Sequence, residues 1–481
     1  MPMKRLSLFA LAAVVACGAM YAQPRKTIYD QLLRPPKTAL YHVPVGTCED
    51  YPEETTTPEL IHNDMEMLKR AHINLLRISF GWDGIEEVAG KYDWLFWDDY
   101  VRTAVDDYGI TLVPYICYTP RWNSTGDSTN YWNHTPKDYE AFGRFVYALV
   151  SRYKDRIKSW ELWNEPDIRE YWSGTAEDLA RLTKIGAEAV KRADPNAIVV
   201  LAGLAGHVDF TKALFRDYGI SKYVDVVNCH SYYETWNGDP LETVVPYVNT
   251  LYDIIQRYGN HQSLWMAEVG YSTFRKPDGY VSDSYTCTYD YEHTPEFQAI
   301  ALWRTLTLLL STNKMAAITW YELKDLPPGE NVIGDVNNRN LGVDYVGWKP
   351  KPAEGALKFF NAFFSSKSMC IDDQVRVTRL LGSESEVHVF RMEDGSVAVV
   401  GWLKTEVRGK TFEQTPGSLK DTRVENIDLT IPGVKGTTAT RYDVEGTSSP
   451  YTGISKAGDA VRLPALRLAG GSILIVKIHE R

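Results

Sequence analysis

Basic tracts, paired cysteines and long apolar runs are what this sequence has least of. Lys and Arg number 52 against 62 Asp and Glu, for a formal net charge of −10. No dense Lys/Arg stripe interrupts that balance, which argues against a nucleic-acid partner. The six cysteines are scattered, with no CxxC pair and no Cys/His cluster, so no metal is expected. Gly-rich phosphate loops, dinucleotide fingerprints and Ser/His/Asp signatures are missing too, so no cofactor is expected. Of the fourteen tryptophans only Trp402 lies beyond residue 350. A tail so poor in large aromatic platforms reads as structural.

What is present is a large globular chain with an export segment. Hydrophobic residues make up 44% and charged residues 24%, ordinary values for a protein that buries a core. Lys4 and Arg5 precede an apolar stretch, Leu6 to Ala16, too short to anchor in a bilayer and therefore read as a signal peptide over residues 1–22. Two processing sites compete. Cleavage after Ala22 gives a soluble product, whereas Val14-Val15-Ala16-Cys17 resembles a lipobox that would leave a lipid anchor on Cys17. Either way the chain is expected to be exported: periplasmic, secreted or held at the outer-membrane surface. Five cysteines then remain, an odd number that leaves at least one free thiol. Cys117 and Cys229, in apolar strand-like runs, read as buried structural thiols.

Between about residues 38 and 365, short apolar runs alternate with amphipathic stretches. The strand candidates are Ala39–Val45, Asn74–Phe80, Thr111–Cys117, Ser159–Asn164, Ile198–Gly203, Val224–His230, Ser263–Glu268 and Ala316–Glu322. Continuous apolar runs such as Ile198 to Ala202 suit strands covered on both faces. Thr57-Pro58-Glu59, Thr294-Pro295-Glu296 and Thr175 ahead of Glu177 and Asp178 are helix starts. Eight such alternations predict an α/β fold, a (β/α)8 barrel over residues 23–367. From 368 to 481, β-like segments separated by Gly, Ser, Asp and Pro turns predict a β-sandwich. The stretch Gln23 to Pro36 is a candidate edge strand for it.

Two glutamates at strand ends carry chemistry. Trp163-Asn164-Glu165-Pro166 closes the fourth strand, and Pro166, which cannot donate to a sheet, leaves Glu165 at the C-terminal rim. Ala267-Glu268 closes the seventh strand equivalently. In such barrels the active site sits at that rim. Retaining glycoside hydrolysis requires a carboxyl pair about 5–5.5 Å apart, one protonated and one ionised. Glu165 is expected to be the acid/base and Glu268 the nucleophile, with Asn164 placed to bind the sugar 2-hydroxyl. A single rim glutamate is commonly a solvated charge or a cap; the matched pair is what points to catalysis.

These motifs resemble the clan of retaining glycoside hydrolases whose catalytic glutamates end barrel strands four and seven. Within it the chain is most similar to glycoside hydrolase family 39, the family of β-xylosidases and α-L-iduronidases, through Trp160-Glu161-Leu162-Trp163 and Gly90-Lys91-Tyr92-Asp93-Trp94. Family 5 is the near alternative, because Glu268-Val269-Gly270-Tyr271 fits both. The resemblance implies a β-xylosidase-like enzyme acting on an oligosaccharide or polysaccharide; the rivals are a family 5-like endo-glycanase and, in another class, a non-catalytic sugar-binding barrel. It also implies that Arg77 holds the nucleophile ionised, that His230 and Tyr232 flank the carboxylates, and that Trp320 floors the reactive subsite. By position, His42 at the end of the first strand and Trp82, Trp122 and Trp236 on later loops are further substrate-binding candidates.

Overall fold

The computed structural model describes residues 28–33, 40–329, 336–379, 384–405 and 417–480. The export segment, with Cys17 and Ala22, lies outside them. Eight strand–helix units form the first part of the chain. The strands are β1 (Val45–Cys48), β2 (Leu75–Arg77 and Ser79–Gly81), β3 (Thr111–Leu112 and Tyr115–Cys117), β4 (Ser159–Asn164), β5 (Ile198–Gly203), β6 (Val226–Ser231), β7 (Ser263–Val269) and β8 (Met315–Trp320). All neighbours pair in parallel, and β1 pairs with both β8 and β2, which closes the ring. The third strand is interrupted at Pro114, which has no N–H to give; its two halves pair separately with the two halves of β2.

The helices that follow the strands are α1 (Pro58–Arg70), α2 (Leu95–Val101), α3 (Tyr139–Tyr153), α4 (Ala176–Ala193), α5 (Val208–Arg216), α6 (Val244–Tyr258), α7 (Pro295–Ser311) and α8 (Pro352–Phe363). Three begin as their sequences predict. The Thr57 and Thr294 hydroxyls accept from backbone N–H groups three residues on, ahead of a proline in the first turn. Thr175 and Asp178 form a reciprocal capping box.

The bottom of the barrel corrects two sequence expectations. Residues 28–33 do not extend the sandwich; they plug the barrel floor. There the Tyr29 hydroxyl donates to the Leu112 carbonyl at 2.6 Å and Trp265 Nε1 donates to the Leu32 carbonyl at 2.7 Å. The first strand also starts later than Ala39, because Gly46-Thr47-Cys48 is buried without an apolar signature. His42 consequently precedes β1 at the floor, where it bonds Gln31 of the plug. It is at the wrong end of the barrel to touch a sugar at the rim.

From Ser368 the chain forms a sandwich of a six-stranded and a four-stranded antiparallel sheet. The central strand of the larger sheet, β9 (Val397–Leu403), is buried along its whole length. Val397 and Val399 point into the sandwich core, while Ala398, Val400 and Trp402 join the barrel-side core with Trp303, Phe360 and Phe364. The centre of the six-stranded sheet is thus covered on both faces, by its partner sheet and by the α7–α8 side of the barrel. Cys48, Cys117, Cys229, Cys287 and Cys370 are all buried free thiols. Among the described residues no helix is long and apolar enough to cross a membrane.

Candidate active site

Glu165 and Glu268 meet at the C-terminal mouth of the barrel. Backbone geometry turns the first inward: Trp163 has φ 92° and Glu165 φ 42°, left-handed values that non-glycine residues adopt at a cost. The Glu165 N–H still donates to the Gly203 carbonyl at 2.8 Å, so the turn remains tied to the sheet. Oxygens of both carboxylates and a ring nitrogen of His230 lie within 4.8 Å of one another. That spacing suits direct attack on a sugar and is too short for the intervening water of an inverting enzyme, which needs about 6.5–9.5 Å.

His230 stands between the acids. Its Nδ1 is 2.7 Å from Glu165 Oε1 and 3.5 Å from Glu268 Oε2. Room for the ring comes from Gly203 on β5, where any Cβ would lie 2.0 Å from His230 Nε2. Glu268 also accepts from Arg77 Nη1 at 2.6 Å and from the Tyr232 hydroxyl at 2.7 Å. Arg77, 1% exposed, spends the rest of its fork on Glu161, through Nε and Nη2 at 2.9 Å each, and on Asn164 Oδ1 at 2.9 Å. The Tyr115 ring lies 4.2 Å beneath the guanidinium.

The two carboxyls are driven apart electrostatically. Burial raises the pKa of Glu165, and the hydrogen bond and charge of His230 offset that only in part. Burial acts on Glu268 in the same direction, but the charges of His230 and Arg77 and the hydrogen bonds from Tyr232 and Arg77 outweigh it, leaving a lowered pKa. Burial opposes the charge on His230, yet Glu268 and Glu165 raise its pKa overall. The result is one carboxyl biased toward keeping its proton beside one biased toward ionisation. The trio also has the spacing of a cation site, but its oxygens already accept from Arg77, Tyr232 and His230. A second such set, Cys370, Asp372 and His388, lies in the sandwich, where His388 bonds Asp372 at 2.8 Å.

Two aromatic expectations need correction or replacement. Trp320 is fully buried and packs in the core outside the sheet; its neighbour Tyr321, half-buried and 6.2 Å from the Tyr232 ring, stands at the mouth instead. Trp82 is fully buried too, donating to Glu86 and stacked against Phe145. Trp122, half-buried, donates to the Glu86 carbonyl and lies edge-on to Trp82. Trp236, edge-on to Tyr232 at 4.7 Å, flanks the site.

Further side chains whose roles no local motif marks also contribute to the site. Glu161 pairs with Arg77, and Tyr118 and Tyr171 stack at 6.4 Å as a half-buried wall whose ionisation is opposed first by burial and further by the charge of Glu165. Asp50, just past β1, accepts from the Tyr115 hydroxyl at 2.7 Å. Correct placement of β1 is the signal that would have found it.

The family model "Glycosyl hydrolases family 39" matches residues 49–245, which include Glu165 but stop before Glu268. A β-xylosidase of Geobacillus stearothermophilus is 24% identical over 355 residues, 67% of this chain and 65% of that protein. The chain therefore spans just under two thirds of that relative's length. Among solved structures, a family 39 glycoside hydrolase from Bacteroides cellulosilyticus WH2 superimposes with a TM-score of 0.61 at 16% identity, covering 92% of this chain and 83% of that one. A monomeric β-xylosidase from Caulobacter crescentus CB15 gives 0.59 at 18% identity, covering 91% and 96%. In matched sequence and in its barrel-plus-sandwich fold, the chain resembles the retaining glycoside hydrolases of family 39.

Proposed function

We propose that this chain hydrolyses O-glycosidic bonds of a β-linked glycan with retention of configuration, as a β-xylosidase-like enzyme. The observation that carries the reading is a pair of carboxylates within 4.8 Å at the barrel mouth, sharing His230, with burial raising the pKa of Glu165 and the charges of His230 and Arg77 lowering that of Glu268. In the first step a Glu268 oxygen attacks the anomeric carbon while Glu165 gives its proton to the departing oxygen, leaving a glycosyl-enzyme ester. In the second, Glu165, now a base, takes a proton from water, which attacks the same carbon and frees Glu268. Asn164, aligned by Arg77, faces the 2-hydroxyl. Retention of both acids disfavours a non-catalytic sugar-binding barrel. The β-xylosidases among the relatives support the substrate class over an endo-glycanase.

The test is a panel of 4-nitrophenyl xyloside, glucoside, galactoside and arabinoside, with the first-formed anomer followed by NMR. Release of the β-anomer from a β-xyloside is expected; an α-anomer as first product would overturn the reading. Export is part of the proposal, supported by Lys4-Arg5 and the apolar run after them. The mass of the mature N-terminus from the native host tests it: a start at Gln23 or an acylated Cys17 is expected, and an intact Met1 would refute export.

A further inference from the structure

Asp50 differs from the other acids of the mouth. Glu165 and Glu268 are 8% and 7% exposed, whereas Asp50 is exposed, although protein surrounds it closely enough that burial, first of all causes, lifts its pKa. A group that is both open to solvent and ringed by protein lines a cleft. Its position is fixed. Cys48, the last residue of β1, sits beside Arg77 in the sheet, and the Glu49 N–H donates to the Arg77 carbonyl at 3.0 Å. The Tyr115 hydroxyl then holds Asp50 Oδ1 at 2.7 Å, and the Tyr115 ring in turn supports the guanidinium that grips Glu268. Glu268 is close enough for its charge to raise Asp50 further.

We propose that Asp50 is a specificity-determining residue of this mouth, accepting hydrogen bonds from hydroxyls of a neutral sugar and rejecting sugars that carry a carboxylate. The inference rests on the glycosidase reading and narrows its substrate class. An ionised carboxylate is acceptor-only and can take two hydroxyls at once, which suits a polyol. A uronic acid in the same place would meet Asp50 and Glu268 together, and like charges at an interface discriminate strongly. The cations that touch the site carboxylates offer no relief, because the Arg77 fork is engaged by Glu161, Glu268 and Asn164 and His230 Nδ1 is engaged by Glu165. Nor does Lys324, the cation beyond Glu49, which is held by Glu49 and Asp64 at 2.9 Å each.

The experiment compares the full-length wild type with Asp50→Asn and Asp50→Ala on 4-nitrophenyl β-D-xyloside and 4-nitrophenyl β-D-glucuronide. Asn keeps the shape and an acceptor for Tyr115 while removing the charge. We expect KM for the xyloside to rise about 10–100-fold in Asp50→Ala, the loss of hydrogen bonds to a charged acceptor, and less in Asp50→Asn. The glucuronide-to-xyloside ratio of kcat/KM should rise at least about tenfold in Asp50→Asn. A wild type that prefers the glucuronide, or a ratio unmoved in both folded variants, overturns the assignment while leaving the glycosidase reading intact. A wild type inactive on every aryl glycoside overturns that reading instead. Calorimetric binding of methyl β-xyloside against glucuronate then still decides the role of Asp50, with tighter wild-type binding of the neutral sugar expected and equal binding refuting it.

Discussion

Arg77 Nη1 lies 2.6 Å from Glu268 Oε1, a contact made by a guanidinium that is itself 1% exposed. In so dry a setting the pair lowers the carboxyl's pKa because the anion, and not the acid, is what the guanidinium stabilises. Lysine in its place keeps the charge and loses the fork. Arg77→Lys is therefore expected to slow catalysis and to move the acidic limb of the kcat/KM profile to higher pH. The sign follows from a nucleophile that must be ionised and now ionises later. Glu161 loses a bidentate partner in the same variant, so a lower melting temperature should accompany the shift. An unmoved acidic limb in folded protein would make Arg77 structural.

Glu165 and Glu268 should fail differently. Glu268→Ala is expected to abolish turnover, with azide restoring release of an inverted product by occupying the vacated space. Glu165→Ala should lose about 10²–10⁴-fold on poor leaving groups and far less on nitrophenyl glycosides, with azide giving a retained product. NMR of the azide adducts reads both outcomes, and identical stereochemistry would show that the roles are misassigned.

His230 couples the two acids, and its removal has a signature that neither acid's removal shares. Its hydrogen bond lowers Glu165, and its charge lowers Glu268. Replacing it by Asn should raise both pKa values, so both limbs of the pH–rate bell move upward together. A shift of one limb alone would mean that His230 serves a single carboxyl.

Trp402 should matter to stability and not to sugar. Its indole is fully buried, donates to Glu242 at 2.7 Å and lies 5.7 Å from the Arg304 guanidinium. Trp402→Ala is expected to cost about 3–5 kcal/mol by urea denaturation. KM for aryl glycosides should stay unchanged at 25 °C; a raised KM with unaltered stability would instead place a sugar site there.

What the sequence disclosed, it disclosed through local chemistry. Asn164-Glu165-Pro166 and Ala267-Glu268 were legible because a proline, an acid and an apolar run are adjacent in the chain. The runs Ser159–Asn164 and Ile198–Gly203 match their strands residue for residue. The misreadings arose where the deciding partner is remote. Whether Trp82 faces a cleft or a core depends on Phe142 and Phe145, some sixty residues on. The first strand was set too early because Val43 and Val45 look like strand while the buried Gly46-Thr47-Cys48 does not, and that slip carried His42 to the wrong end and hid Asp50. Glu161 was visible as a motif letter, but its bond to Arg77 spans 84 residues.

A strand that is wetted on neither side, Val397–Leu403, limits how this protein can be rearranged. A gene cut between the two halves near residue 367 would strip cover from Trp303 on α7, Phe360 on α8 and Phe364 just after it and, on the other fragment, from Ala398, Val400 and Trp402. Each fragment would present a greasy patch of the kind that drives aggregation. The tail is therefore not cargo that recombination can shuffle among enzymes; its inner face and the two barrel helices must change in step, and any lineage that exchanges one must inherit the other.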